Sequence, residues 1–312
     1  MTAIPASDAE ITDNAAWAGA SPRLSVLIPF YRDDPSRLIA ALAAPDGVVE
    51  VVALDDGSHD PALAARAAEA VRAAAVPARF VRLAANEGRA LGRNRLAAEA
   101  RGRHLLFLDA DMLPDAPDFL GRWMALIDAE DPPVAFGGFS LDQAPVTRDS
   151  AVHRALSLRS DCLPVEARRK APEKYVFTSN LLIRRDIFEA EPFDAGFVGW
   201  GWEDVEWAMR VSRNHPIAHI DNPATHLGLA PAAAMAAKFE QSAANFARVV
   251  AAHGDIVSAY PSYRVAKALK RAPLRRLWRP WLKAFALAGA GPAGARAFAL
   301  RLYRAALYAE AV

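Results

Sequence analysis

The first part of the chain alternates short apolar runs with longer, alanine-rich or amphipathic segments. The apolar runs have the length of buried β-strands and cover residues 24–28, 48–54, 78–83 and 104–108. The segments between them have the length of helices and cover residues 33–44, 61–75 and 88–100. Near-continuously apolar strands that alternate with helices are typical of a parallel sheet covered on both faces. The pattern therefore predicts an α/β fold with a Rossmann-like, mostly parallel sheet.

The alternation stops after residue 114, where the pattern becomes less regular. Helices are predicted over residues 118–129, 203–212 and 232–252. Strands are predicted over residues 134–141, 175–183 and 217–220. Residues 147–170 are polar and basic, and we interpret them as a mobile loop over a binding site.

Composition narrows the function classes only slightly. The 312-residue chain is 53% apolar with a formal net charge of +1, which argues against disorder and gives no reason to expect nucleic-acid binding. Its one cysteine, Cys162, allows no internal disulfide and fits a reducing compartment. The chain start lacks the basic and apolar regions of a signal peptide. No uninterrupted apolar stretch reaches the roughly 18 residues that suggest a membrane-spanning helix.

Polar residues follow three of the predicted strands at the points where they end. Pro29 and Tyr31 follow the first strand, Asp56 the second, and Asp109 and Asp111 the fourth. The carboxyl ends of parallel strands share one edge, where such sheets bind ligands. Carboxylates at the end of a buried strand need a cation, a polar ligand or water, and a divalent metal that also binds phosphate would meet that need. The alternative is that these Asp residues shape turns or cap helices.

Asp56, Arg93 and His226 each suggest a specific role at this edge. Asp56 could accept a hydrogen bond from a nucleobase N–H, and Arg93 on the third helix could reach a diphosphate, although a lone arginine is more often a surface residue. His226 lies in a loop flanked by proline and glycine. As a third ligand beside Asp111 it would complete a mixed nitrogen and oxygen site suited to Mn²⁺, whereas a lone histidine is more often structural.

A second group of candidate functional residues lies in the segment GFVGWGWEDVEWAMR, residues 196–210. Trp200 and Trp202 offer flat apolar faces that suit the C–H face of a sugar. Glu203 and Asp204 stand at a helix start, where the helix dipole favours carboxylates. The alternative is a capped helix with tryptophans in the core.

Together these motifs resemble the family 2 inverting glycosyltransferases of GT-A fold. The resemblance rests on P-x-Y, DDGS, N-x-G with a following R-N, FLDADM and GWGWED, which occur in family order between Leu24 and about Gly228. The GWGWED segment is also similar to part of the β-1,4-galactosyltransferases and chondroitin-synthase-type enzymes. The resemblance implies a GT-A catalytic domain over 23–228. A flexible leader over 1–22 and a helical C-terminal extension over 229–312 are predicted from the sequence and fall outside the resemblance. Within the domain, a nucleotide half would end near residue 114 and an acceptor half would follow.

The resemblance also implies an activity and a set of site residues. We expect transfer of a hexosyl or N-acetylhexosaminyl group, with inversion, from a nucleotide-sugar, most often a UDP-sugar, to a glycan or lipid-linked acceptor in bacterial polysaccharide biosynthesis. The nucleotide-sugar would be bound by Pro29, Tyr31, Asp56, Arg93 and Asp109. Mn²⁺ or Mg²⁺ would be bound by Asp111, His226 and Asp109. Asp204 would be the catalytic base with Glu203 beside it, and the acceptor would contact Trp200, Trp202 and Glu203.

Three other functions remain to be compared with this one. A dinucleotide-dependent dehydrogenase would carry G-x-G-x-x-G after the first strand, where this chain has Pro29-Phe30-Tyr31. A sugar-phosphate nucleotidyltransferase would carry a glycine-rich basic loop there. A non-catalytic nucleotide-sugar-binding protein of the same fold is the alternative we retain, although it would be expected to have lost the acids that stand here.

The C-terminal tail, residues 265–312, differs in composition from the rest. Basic residues alternate with leucines and with Trp278 and Trp281. Such a helix can lie at a membrane interface, and the expected location is the cytoplasm, at the inner face of the cell membrane. The alternative is a helical pair packed on the main domain with its basic face in solvent.

Overall fold

The computed structural model describes residues 9–44 and 48–312. Its strands are β1 (Glu10–Asp13), β2 (Leu24–Phe30), β3 (Val49–Asp55), β4 (Ala78–Arg82), β5 (His104–Phe107), β6 (Met112–Pro114), β7 (Val134–Phe136), β8 (Phe139–Ser140), β9 (Leu181–Arg184), β10 (Ile217–His219) and β11 (Ala224–His226). Its helices are α1 (Ser36–Ala41), α2 (Pro61–Ala73), α3 (Arg89–Glu99), α4 (Phe119–Glu130), α5 (Ala151–Ser160), α6 (Val165–Arg168), α7 (Arg185–Ala190), α8 (Glu203–Val211), α9 (Ala232–Val257), α10 (Pro261–Lys270), α11 (Arg275–Leu287) and α12 (Ala293–Tyr308). Two 3-10 turns cover Pro172–Tyr175 and Thr178–Asn180.

The central eight-stranded sheet has the order β1-β4-β3-β2-β5-β9-β7-β10. Strands β4, β3, β2 and β5 are mutually parallel, as the alternating pattern predicts, and β9 joins them antiparallel to β5 and β7. Successive side chains of a strand point to opposite faces. Accordingly, Val26 and Ile28 belong to one buried apolar cluster, and Leu27 belongs to a second. The fold class is therefore confirmed as a mixed α/β sheet covered by helices on both faces.

The predicted flexible leader differs from the structure beyond residue 8; residues 1–8 lie outside the described residues. Strand β1 pairs antiparallel with β4 at one edge of the sheet. Arg79 of β4 donates two hydrogen bonds to the carboxylate of Asp13, at 2.8 and 2.9 Å. The Asn14 side chain bonds the backbone of Val76 and Ala78. These contacts order a segment whose composition alone suggests a loose chain.

The predicted strand over 134–141 is two strands that belong to different sheets. β7 lies in the central sheet, whereas β8 joins β6 and β11 in a separate three-stranded sheet. Gly137 and Gly138 separate them, and Gly138 has a φ of +103°. A Cβ on Gly137 would lie 2.4 Å from the side-chain nitrogen of Asn180, so glycine is required by the close approach. The predicted strand over 175–183 is likewise shorter, because 3-10 turns include Tyr175 and Thr178–Asn180 and β9 begins at Leu181.

The prediction of a mobile loop over residues 147–170 is wrong. The segment contains α5 and α6. Val152 and Leu156, four residues apart on α5, are buried in an apolar cluster with Phe239 of α9 and Leu300 of α12. Most residues of this segment are polar, so the narrow apolar stripe of α5, which the C-terminal helices cover, was not evident from the sequence.

Four helices, α9 to α12, form the C-terminal extension. α9 continues beyond the predicted end at residue 252 and has non-helical backbone angles at His253. Phe246 of α9 stacks on Tyr308 of α12 with ring centroids 4.2 Å apart. In the described residues, none of the helices is both long and apolar enough to cross a membrane.

Candidate active site

A cavity of about 1450 Å³ opens beyond the carboxyl ends of the parallel strands and extends to the C-terminal helices. All of the residues assigned to a site by the sequence line it: Pro29, Tyr31, Asp56, Arg93, Asp109, Asp111, Trp200, Trp202, Glu203, Asp204 and His226. Polar strand ends and the distant GWGWED segment therefore meet in one place. Their individual contacts divide them into distinct sets.

Asp109 is held by two neighbours at the end of β5. One carboxylate oxygen accepts a hydrogen bond from Arg93 Nη2 at 2.6 Å, and the other accepts one from Ser179 Oγ at 2.9 Å. Burial would raise the pKa of this carboxyl, but the guanidinium groups of Arg93 and Arg89 outweigh that effect and hold the pKa below its usual range. Asp109 is therefore an anion whose two oxygens are already engaged.

Arg93 lines the cavity, and its guanidinium is already bound to neighbouring residues. Its side chain is 2% exposed, and it also donates to the carbonyl oxygen of Arg89 at 3.3 Å and lies 3.8 Å from the carboxylate of Glu203. A guanidinium enclosed between Asp109 and Glu203 has little freedom to reach a diphosphate. It links the strand-end acids to the GWGWED segment instead.

Asp111 and His226 form a second group of site residues, separate from Asp109 and Arg93. Strand β11 pairs with β6 so that His226 lies opposite Met112, next to Asp111. Asp111 Oδ2 and His226 Nε2 are 3.1 Å apart. Burial would lower the pKa of His226, but the hydrogen bond and the charge of Asp111 raise it above its usual value. A carboxylate oxygen and an imidazole nitrogen thus face the cavity as a pair.

His153 of α5 lies beside this pair. Its ring centroid is 5.6 Å from that of His226, and its Nδ1 accepts a hydrogen bond from the Ala230 backbone N–H at 2.8 Å. Burial, together with the neighbouring His226, lowers the pKa of His153 to about 3. A neutral imidazole that accepts at Nδ1 carries its proton on Nε2.

Asp56 mainly binds the loop before α3. Its carboxylate accepts hydrogen bonds from the side chain of Asn86 at 3.0 Å and from the backbone N–H groups of Glu87 and Gly88 at 2.7 and 3.0 Å. Burial nevertheless raises its pKa above the usual value. Three donors leave one of roughly four acceptor positions for a ligand. Tyr31, by contrast, is exposed at the cavity rim.

The adjacent acids Glu203 and Asp204 have pKa values shifted in opposite directions. Arg89 Nε donates to Glu203 Oε1 at 2.5 Å, and although burial opposes it, this pairing lowers the pKa of Glu203. Burial and the charge of Glu203 raise the pKa of Asp204 to about 7. Both residues begin α8 and line the cavity. The pair therefore comprises one fixed anion and one group that titrates near neutral pH.

The two tryptophans are largely tied to the C-terminal extension. Trp202 Nε1 donates to the Tyr308 hydroxyl at 2.9 Å, and its ring packs on Phe246 with centroids 5.0 Å apart. Trp200 packs on Phe239 of α9. Core packing, the alternative considered for these residues, explains most of the contacts of Trp202. Trp200 is half-buried and keeps part of its surface at the cavity.

Several cavity residues were not identified from the sequence. Arg89 and Ser179 bind the acids Glu203 and Asp109. Asp33 and Lys238 also line the cavity, where burial and Asp111 raise the pKa of Asp33, and burial and Arg89 lower the pKa of Lys238. Lys238 could have been identified from the sequence, because it is the single cation in the otherwise apolar run AAAMAAKF. The other three sit in ordinary polar contexts that give no such indication.

Comparison with known proteins agrees with this geometry. The profile of Glycosyl transferase family 2 matches residues 25–191. The uncharacterized glycosyltransferase YfnE of Bacillus subtilis (strain 168) is 25% identical over an alignment of 240 residues. The match covers 61% of this chain and 60% of that protein. The dolichyl-phosphate beta-glucosyltransferase of Drosophila melanogaster is 32% identical over 110 residues, 32% of this chain and 34% of that protein. The chain thus spans less than two thirds of the length of either relative.

A solved structure extends the comparison to the fold. The mannosyltransferase PcManGT from Pyrobaculum calidifontis, in complex with GDP-Man and Mn²⁺, superimposes with a TM-score of 0.54 and 18% identity over 95% of this chain and 88% of that one. This likeness supports the GT-A architecture of the sheet and its helices. Since the family profile covers more than half of the sequence, the chain belongs to glycosyl transferase family 2.

Proposed function

We propose that this protein is a metal-dependent inverting glycosyltransferase that uses a nucleotide-sugar donor. The observation that carries the proposal is the meeting of the Asp111–His226 pair and the buried acid Asp204 in one cavity. The Asp111–His226 pair suits a leaving diphosphate, and Asp204 suits an incoming hydroxyl. Family membership and the GDP-Man complex of the structural neighbour support a nucleotide-sugar donor. A UDP-sugar with a hexosyl or N-acetylhexosaminyl group is our first choice.

Asp111 and His226 are the proposed metal ligands. An oxygen and an imidazole nitrogen suit Mn²⁺, and a site rich in oxygen from a bound diphosphate would also accept Mg²⁺. Within residues 9–44 and 48–312, no group of three or more His, Cys, Asp or Glu residues is placed to hold a metal ion, so further ligands would come from the diphosphate and water. When bound, the ion would neutralise charge on the leaving diphosphate. Asp109, which the sequence also assigns to the metal, accepts one hydrogen bond on each oxygen, from Arg93 and from Ser179. We assign its remaining acceptor positions to the ribose of the nucleotide-sugar.

Asp204 is the proposed general base. It must take a proton from the acceptor hydroxyl, and a base works best with a pKa near the working pH. A pKa of about 7 meets that condition. The hydroxyl would attack the anomeric carbon in a single displacement, which inverts configuration. Glu203, held by Arg89, would keep Asp204 basic through its fixed negative charge. We therefore propose a positioning role for Glu203 in place of the acceptor contact that the sequence suggests.

The remaining assignments follow from exposure. Pro29 and Tyr31 border the cavity near Asp56, and we assign all three to the nucleotide, with one acceptor position left on Asp56 for a base N–H. Trp200 is the proposed apolar platform for the acceptor sugar. The acceptor itself is proposed to be a glycan or lipid-linked saccharide of a bacterial surface polysaccharide.

Release of nucleoside diphosphate from a panel of UDP-sugars, with GDP-mannose included because of the structural neighbour, tests the proposal. We expect turnover with one donor in the presence of Mn²⁺ and its loss on chelation. Asp111→Ala should abolish Mn²⁺-dependent donor binding in calorimetry. Donor binding in the wild type without any turnover or hydrolysis would favour the alternative, a non-catalytic nucleotide-sugar-binding protein. Unchanged donor binding by Asp111→Ala would remove the metal assignment.

A further inference from the structure

Helix α11 presents apolar side chains to solvent. Leu277, Trp281 and Phe285 are spaced four residues apart and therefore form one stripe along the helix. They are 66%, 76% and 48% exposed, and Leu274, directly before the helix, is 71% exposed. We name these four residues the α11 stripe. Single exposed apolar residues are common on protein surfaces, but a continuous aromatic and aliphatic stripe is not.

The opposite side of α11 is bound to the protein partly through charges. Arg279 forms an ion pair with Glu310 at 2.7 Å, and Lys283 forms one with Glu240 of α9 at 2.6 Å. An ordinary surface helix buries its apolar side and exposes its polar side. α11 does bury an apolar side, since Ala286 is buried and Leu282 packs against the neighbouring helices. The stripe is a second apolar side that faces outward, so the free surface of α11 is suited to an apolar environment.

Four exposed cations lie on α10, directly after it and in the first turn of α11. They are Arg264, Lys267, Arg271 and Arg276, and none of them makes an ion pair with another described residue. Free cations beside exposed leucine and tryptophan are the combination found in helices at the interface of anionic membranes. The same cations would repel each other across a face-to-face pair of identical chains.

We propose that the α11 stripe rests on an anionic lipid surface, with its apolar side chains among the acyl chains and the four cations on lipid phosphates. The negative charge of such a surface explains why cations accompany the stripe, and the ion pairs of Arg279 and Lys283 hold α11 against the protein. No membrane-spanning segment is needed for such attachment.

The cavity extends toward the C-terminal helices, which connects the proposed lipid attachment with the binding of an acceptor. Val265 of α10 and Phe298 and Leu302 of α12 line the cavity, and Phe298 is 57% exposed. An apolar lining that continues from the acids to the C-terminal helices would accommodate the lipid part of a lipid-linked acceptor. This extension rests on the proposed function, whereas the lipid contact itself does not.

Flotation of the full chain with vesicles tests the lipid contact without any assay of activity. Vesicles of phosphatidylcholine with phosphatidylglycerol should carry the protein upward, and vesicles of phosphatidylcholine alone should carry much less. Leu277→Glu with Trp281→Glu should weaken the binding at least about tenfold, since each removes a large apolar contact. Val146→Glu is the matched control, because Val146 is 79% exposed, lies outside the cavity lining and is remote in sequence from α11. Gln substitution of the four cations should reduce binding to anionic vesicles and remove most of its salt dependence.

Three outcomes would overturn the proposal. The wild type could fail to float with anionic vesicles, the Glu variant could float as well as the wild type, or light scattering could show a dimer that the Glu variant dissociates. Donor hydrolysis by the Glu variant should equal that of the wild type. If vesicles bind but no nucleotide-sugar is turned over, only the proposed function fails.

Discussion

Gly228 leaves the space that the carboxylate of Asp111 occupies. A Cβ on Gly228 would lie 1.9 Å from Asp111 Oδ2, well inside van der Waals contact. The two residues are brought together by the pairing of β6 with β11, and the backbone N–H of Leu227 donates to the carbonyl oxygen of Asp111 at 2.8 Å. The position of this acid therefore depends on a residue with no side chain of its own.

Gly228→Ala should displace the Asp111 carboxylate and weaken Mn²⁺-dependent donor binding. Misplacement of a reacting group by about 1 Å costs on the order of 10²-fold in rate, and we expect a loss of that order in turnover. Calorimetry with donor and Mn²⁺ measures the binding part. Gly121→Ala in α4 is the control, because a Cβ there meets nothing within 4 Å. Equal losses in both variants would show a general effect of the added methyl group.

Asp204→Asn should abolish transfer and leave donor binding nearly intact. The amide has the size of the carboxyl but cannot accept the proton of the acceptor hydroxyl. In the wild type, only the ionised form of Asp204 is active, so kcat/KM should rise as the pH increases through about 7. Steady-state kinetics over a pH series measures this limb. A variant with full activity would contradict the assignment of the base.

Glu203→Gln should move the acidic limb of that pH profile to lower pH. The charge of Glu203 raises the pKa of Asp204, while Arg89 and Arg93 lower it. Neutralising Glu203 removes its raising effect, while burial and the guanidinium groups still act on Asp204, so the pKa of Asp204 falls and Asp204 ionises at lower pH. Glu189→Gln, an exposed acid on α7, serves as the control and should leave the profile in place. A profile unchanged by Glu203→Gln would show that the limb belongs to another group.

Tyr308→Phe should destabilise the protein by about 1–3 kcal/mol, because it removes the hydroxyl that pairs the Trp202 indole N–H and contacts Ser242 Oγ at 2.7 Å. Urea unfolding measures the loss. Tyr263→Phe is the control, since the Tyr263 hydroxyl makes no hydrogen bond to another described residue. A cycle with Trp202→Phe should be non-additive; strict additivity would indicate that the two side chains stabilise the fold independently.

The parallel sheet could be predicted because its signal is local. Buried strands such as 48–54 are continuously apolar, and polar residues mark their ends. Convergence of Asp56 and Asp109 on one edge then follows from the topology of parallel strands. These features need no knowledge of which distant side chains meet.

The partners of the site residues could not be predicted in the same way. A lone arginine such as Arg93 is usually expected at the surface. Only the turn after β5 places Asp109 Oδ1 2.6 Å from Arg93 Nη2. Trp202 and Tyr308 are 106 positions apart, so their contact depends on how the C-terminal helices pack. α5 was missed for a related reason, because its apolar stripe is narrow and gains its meaning only from α9 and α12.

Strand β1 also determines how the sheet meets other molecules. Without it, β4 would present a row of unpaired backbone N–H and C=O groups, which is a template for association with another chain. β1 covers that row and is itself only four residues long, with Glu10 and Asp13 paired to Arg82 and Arg79. A short strand bearing charges is a poor template for further strand addition. This segment thus protects a parallel sheet from edge-to-edge aggregation.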